Sequence, residues 1–153
     1  MLKKLKLIQQ RKKVEKLLNL QCKVYFLVKD AYYLQQVTFE KHILKIYNSV
    51  TSPEARILAL LHDIFKDTNL TIKDLKRIGV PKHLVKKVKL LTLKKDESDY
   101  HYIQKIIKDP IAKEVKKADL LYNCDLNNYG KNNLTQTDFN KIQKSKYFLQ
   151  YFK

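Results

Sequence analysis

Glycine occurs only twice and proline three times in this 153-residue chain, and that scarcity limits the fold more than any other feature. Hairpins need residues that tolerate unusual backbone angles at fixed turn positions, and a sheet protein of this length would need several of them. A Leu-, Ile- and Lys-rich chain without those residues is expected to be all-α, with about six or seven helices and short connections. The length suits one domain, enough to bury roughly 70% of the unfolded surface.

The prolines mark helix starts. Ser52-Pro53-Glu54 and Asp109-Pro110 each place a capping side chain before a proline that loses no helical amide bond. Pro81 opens another helix, Thr71 to Asp74 and Thr135 to Asp138 form capping boxes, and Gly79 is a natural stop. The helix after Ser52 is expected to carry His62 and Asp63. Residues 21–47 supply two helices, with Thr38 as N-cap of the second, and 127–133 is turn-rich. In the last helix Phe139, Ile142, Tyr147, Phe148 and Tyr151 are expected to face the core.

The opening segment has Leu5, Ile8, Val14, Leu17 and Leu18 at broadly helical spacing, with seven basic residues against Glu15 alone, a local charge of +6. It predicts a basic amphipathic helix over 1–20, packed on or appended to a domain of residues 21–153. Packing is favoured over adhesion to an anionic surface.

The formal charge of +17 draws phosphate-rich partners. With three arginines, Arg11, Arg56 and Arg77, bidentate base readout has few candidates, so a nucleic-acid partner is not favoured. Cys22 and Cys124 fit no disulfide framework, no apolar run is long enough to span a membrane, and the N-terminus lacks a signal-peptide core. A cytoplasmic protein is expected.

Within the apolar run Ala59-Leu60-Leu61-His62-Asp63, an imidazole and a carboxylate stand side by side where burial demands a reason. With His42 and Asp119 they make two imidazoles and two carboxylates, a donor set suited to one divalent ion with positions left for water and substrate. His83 and His101 lie among lysines and are read as surface residues, and Asp96, Glu97 and Asp99 as a solvated acidic loop. Tyr32, Tyr33, Phe39 and Tyr122 are read as core in preference to base-stacking residues.

The ordered set His42, His62-Asp63 and Asp119 resembles the pattern of the HD-domain metal-dependent phosphohydrolases. Ala59 to Asp63 with Asp67-Thr68 and Leu70-Thr71, and Asp109 to Leu126, resemble two segments of the branch that includes the (p)ppGpp hydrolases, the likeness covering about residues 42–126. The resemblance implies an HD-type helical fold and a phosphorylated-nucleotide substrate, with (p)ppGpp-like pyrophosphate hydrolysis favoured. It implies His42, His62, Asp63 and Asp119 as ligands of one ion, Mn²⁺ favoured with Zn²⁺, Fe²⁺ or Co²⁺ as alternatives. Lys116 and Asn123 become candidate substrate contacts, and Asp67 the residue that positions the nucleophile.

The chain departs from that pattern at Lys66, where the family has a glutamate that serves the attacking water, and at Ile43 in place of a proline. Lys66 would then bind a substrate phosphate, Asp67 would take over the role of the glutamate, or the domain would bind nucleotide or RNA without turnover.

Overall fold

The structure, a computed structural model, describes residues 1–130 and 133–153; positions 131 and 132 of the turn-rich stretch lie outside the described residues. It is an all-α domain with no strand among those residues. Eight helices have six residues or more: α1 (Leu2–Ala31), α3 (Leu44–Ser49), α4 (Pro53–Leu61), α6 (Ile72–Arg77), α7 (Lys82–Leu91), α8 (Asp99–Ile106), α9 (Pro110–Cys124) and α10 (Gln136–Leu149). Two fragments, α2 (Gln36–Thr38) and α5 (Ile64–Asp67), complete the numbering. The count of eight lies close to the expected six or seven.

Helix α4 is the centre of the domain. Ala55 and every residue from Ile57 to Leu61 are buried, which is how a helix apolar on all sides must sit. Burying one such leucine or isoleucine side chain is worth about 1.5–3 kcal/mol. The second half of α1, α3, α7 and α9 pack around α4, and α10 covers α9. Ser52 Oγ accepts from the Ala55 amide and Asp109 from the Ala112 amide, so both cap-then-proline starts form as expected. The boxes at Thr71 and Thr135 are complete, and Gly79 ends α6 at φ 94°, a left-handed conformation that favours glycine.

Four expectations change. The opening helix does not end near residue 20 but continues unbroken to Ala31, and its residues 2–16 are exposed. Only from Leu17 onward, through Leu20, Val24 and Val28, does it touch the core. Leu5, Ile8, Val14 and Leu18 wind around the helix and share no face that could be buried together. Thr38 caps nothing, because α2 runs directly into a π-helical segment, Phe39–Ile43, and then α3. Helix α4 stops at Leu61, so His62 and Asp63 occupy the corner before α5. In α10, Ile142 and Phe148 are buried, whereas Phe139 and Tyr147 are about half exposed.

Candidate metal centre

Three separate pieces of chain bring the expected ligands together. His42 sits in the π segment, a local widening of the helix that recurs at functional sites. His62 and Asp63 hold the α4–α5 corner, and Asp119 lies buried on α9. The Nε2 atoms of His42 and His62 are 3.2 Å apart. Asp63 Oδ2 lies 3.6 Å from His42 Nε2 and 3.5 Å from His62 Nε2, and Asp119 Oδ1 lies 3.4 and 3.8 Å from the same atoms.

Those separations fit one ion. Donors about 2.1 Å from a metal stand roughly 3.0 Å apart around an octahedron and 3.4 Å apart around a tetrahedron. His42, His62 and Asp119 alone form a group able to hold a metal, and Asp63 reaches both imidazoles from the rim. His62 is also oriented for ligation, because its Nδ1–H donates to the Ala59 carbonyl at 2.6 Å, leaving the Nε2 lone pair for a cation. This is the usual outer support of a ligating histidine.

The electrostatics favour charged ligands. Burial opposes ionisation of Asp119, but the Lys116 ammonium 2.8 Å away, helped by His62, holds its carboxyl below the usual range. Asp63 is likewise burdened by burial and driven well below it by His62, His42 and Lys66. Lys116 is raised despite its own burial, chiefly by Asp119, and its Nζ lies 5.6 Å from the Tyr102 ring centre. Asn123 is buried, donates Nδ2–H to Asp119 Oδ1 at 3.4 Å, and keeps its Oδ1 free of any protein partner among the described residues. That orphaned acceptor beside the ligand group suits a water or hydroxyl donor.

Lys66 is largely exposed, with Nζ 3.3 Å from Asp63 Oδ2 and 3.8 Å from Asp67 Oδ1. Asp67 is turned toward α1: its Oδ2 accepts from the Tyr32 hydroxyl at 2.9 Å, and its backbone carbonyl accepts from Gln35. Tyr32 and Phe39 are buried and Tyr33 is exposed; Tyr122 meets the His42 ring edge-on with centres 4.7 Å apart. His83 and His101 are exposed, as expected. Glu97 is not the solvated acid expected of its loop, for its side chain is covered and paired with Lys105.

Sequence reasoning missed three features. The Ala59 support was open to inference, since the last carbonyls of a helix lack internal partners. The Tyr32–Asp67 bond and the approach of α10 carry no local signal. A cavity of about 230 Å³ adjoins the ligand group, bordered by His62, Asp63, Lys66, Lys116 and, from α10, Lys144. A larger groove of about 770 Å³ lies elsewhere, between α1 and the Gly79 turn, and includes none of the ligands.

The fold and the site together define an all-α domain with a His/Asp group able to hold a divalent ion. Comparison with protein-family models and with curated proteins found no match to this chain.

Proposed function

We propose that the protein is a metal-dependent phosphohydrolase acting on a phosphorylated nucleotide, with (p)ppGpp-like pyrophosphate hydrolysis favoured. The observation that carries this reading is the convergence of four donor atoms from His42, His62, Asp63 and Asp119, pairwise 3.2 to 3.8 Å apart where measured, at a lysine-bordered cavity. The resemblance of residues 42–126 to the HD-type phosphohydrolases supports the same reading.

A divalent ion bound there, Mn²⁺ favoured, would supply Lewis acidity, lowering the pKa of its water and polarising a phosphoryl oxygen. The chain's own residues do the rest. Lys116 neutralises phosphate charge while keeping Asp119 ionised, and the free Asn123 Oδ1 orients a donor on substrate or water. Lys66 attracts phosphate to the cavity mouth. Positioning the nucleophile would fall to Oδ1 of Asp67, since its Oδ2 is engaged by Tyr32 and Asp67 does not border the cavity.

The test is to purify the protein, measure its metal content, and assay phosphate and pyrophosphate release from a nucleotide panel that includes (p)ppGpp, with added Mn²⁺. Absence of metal from the wild type, or metal retention unchanged in His62→Ala, overturns the site.

One observation favours a second reading, a non-catalytic domain that binds nucleotide or RNA. Lys66 lies beside Asp63 where the resembling family has a glutamate, and an ammonium group at neutral pH cannot deprotonate water. Lys66→Glu separates the two: turnover gained only in the variant favours binding.

A further inference from the structure

The small cavity beside the ligand group draws its cations from three elements: Lys66 of α5, Lys116 of α9 and Lys144 of α10. They are not equivalent. Lys116 is committed to the buried Asp119, with its side chain 18% exposed. Lys144 is half exposed; its Nζ lies 2.9 Å from Oδ1 of Asp99, whose own side chain is 46% exposed, and 5.6 Å from the Phe148 ring centre. Such an open pair is worth little in water, so an incoming phosphate can replace Asp99 at small cost. Lys144 therefore borders the cavity as an available cation.

Size and lining limit what enters. Pockets that enclose a drug-sized ligand measure roughly 300–1,000 Å³, and this one is about 230 Å³. The aromatic rings at its wall, Tyr102 and Phe148, are 6% and 5% exposed, too covered to offer a base a stacking face. The Tyr102 hydroxyl is also engaged, donating to the Leu91 carbonyl. A chain of phosphates fits this space better than a nucleoside does.

We propose that Lys144 binds the second phosphate of a diphosphate-ended ligand, so that the cavity selects a pyrophosphoryl end over a single phosphate and is indifferent to the base. Lys144 is thus a specificity-determining residue supplied from outside the segments that carry the metal ligands. The inference rests on taking this cavity as the substrate site of the proposed function.

The experiment measures binding of inorganic pyrophosphate and of orthophosphate by calorimetry at fixed ionic strength, with the metal content of every protein determined in parallel. Wild type should bind pyrophosphate at least about tenfold more tightly, which corresponds to about 1.4 kcal/mol. Lys144→Met should remove most of that preference and change orthophosphate binding less than about twofold, and Lys144→Arg should restore it. Asp99→Asn should tighten pyrophosphate binding by freeing Lys144. GDP and CDP should bind the wild type within about threefold of each other.

Metal-containing protein in which Lys144→Met leaves pyrophosphate affinity unchanged, or lowers both anions equally, overturns the inference and spares the metal centre. A strong preference between GDP and CDP overturns it as well. Wild type that holds no metal sinks the proposed function, whereas retained pyrophosphate selectivity dependent on Lys144 still supports the assignment of this residue.

Discussion

The Nε2 atoms of His42 and His62 face each other across 3.2 Å, although their side chains come from segments twenty residues apart. With no ion bound, His42 Nε2–H can donate to the His62 Nε2 lone pair across that gap, and both atoms lie 3.4 to 3.8 Å from the Asp63 and Asp119 oxygens. Removing an outer support of a ligating histidine already costs 10–100-fold in metal affinity. His62→Ala should therefore lower Mn²⁺ affinity by about 100-fold or more, measured by titration.

Lys116 and Asp119 form a covered ion pair, and breaking such a pair leaves an uncompensated charge at a cost of about 3–5 kcal/mol. Because the Lys116 side chain retains some exposure, Lys116→Met should destabilise the metal-free protein by about 3 kcal/mol in urea unfolding. Added Mn²⁺ should recover much of that loss, since the ion takes over neutralisation of Asp119. An unchanged deficit with and without metal would show that Asp119 is not a ligand.

Lys66→Glu tests the two functional readings in one protein. The substitution replaces a cation paired with Asp63 by a second carboxylate, so metal affinity should rise. If the wild type is already a hydrolase using Asp67, its kcat should change less than about tenfold, checked by pyrophosphate release. Activity confined to the variant favours the binding domain.

Asp109 couples stability to acidity. Burial works against its ionisation, but the Ala112 amide and the Lys87 ammonium prevail and hold the carboxyl below its usual range. With the folded value below the unfolded value of about 3.9, the stabilisation is present above that unfolded value and is lost as pH falls through the folded one. Asp109→Asn keeps a capping side chain and loses the charge. The stability difference between wild type and variant, under about 1 kcal/mol at pH 6 because the pair is partly open to solvent, should narrow in urea melts as pH falls below the unfolded value of about 3.9.

The helix starts were legible because capping is local: Ser52, Thr71, Asp109 and Thr135 each act within three residues of themselves. The four ligands were legible as residue types at recognisable spacing. The corner at His62-Asp63 was not, since Ile64 and Phe65 continue the apolar run with no stop signal. The π segment at His42 likewise owes nothing to a distinctive residue. Phe139 and Tyr147 satisfy helical spacing yet remain open because α10 offers only a narrow face to α9. Lys144 was invisible for the plainest reason, that its partners lie on other helices.

Residues 2–11 of α1 extend past the groove that begins at Lys12, touching nothing that α4 organises. At about 1.5 Å per residue, Lys3, Lys4 and Lys6 stand roughly 9–14 Å beyond Lys12, farther than the Debye length of about 8 Å at physiological salt. The tip and the domain are thus screened from each other. In such a solution the charge of +17 does not act as one quantity: a distant helix end and a compact body each present their own potential, and salt uncouples them before it silences either.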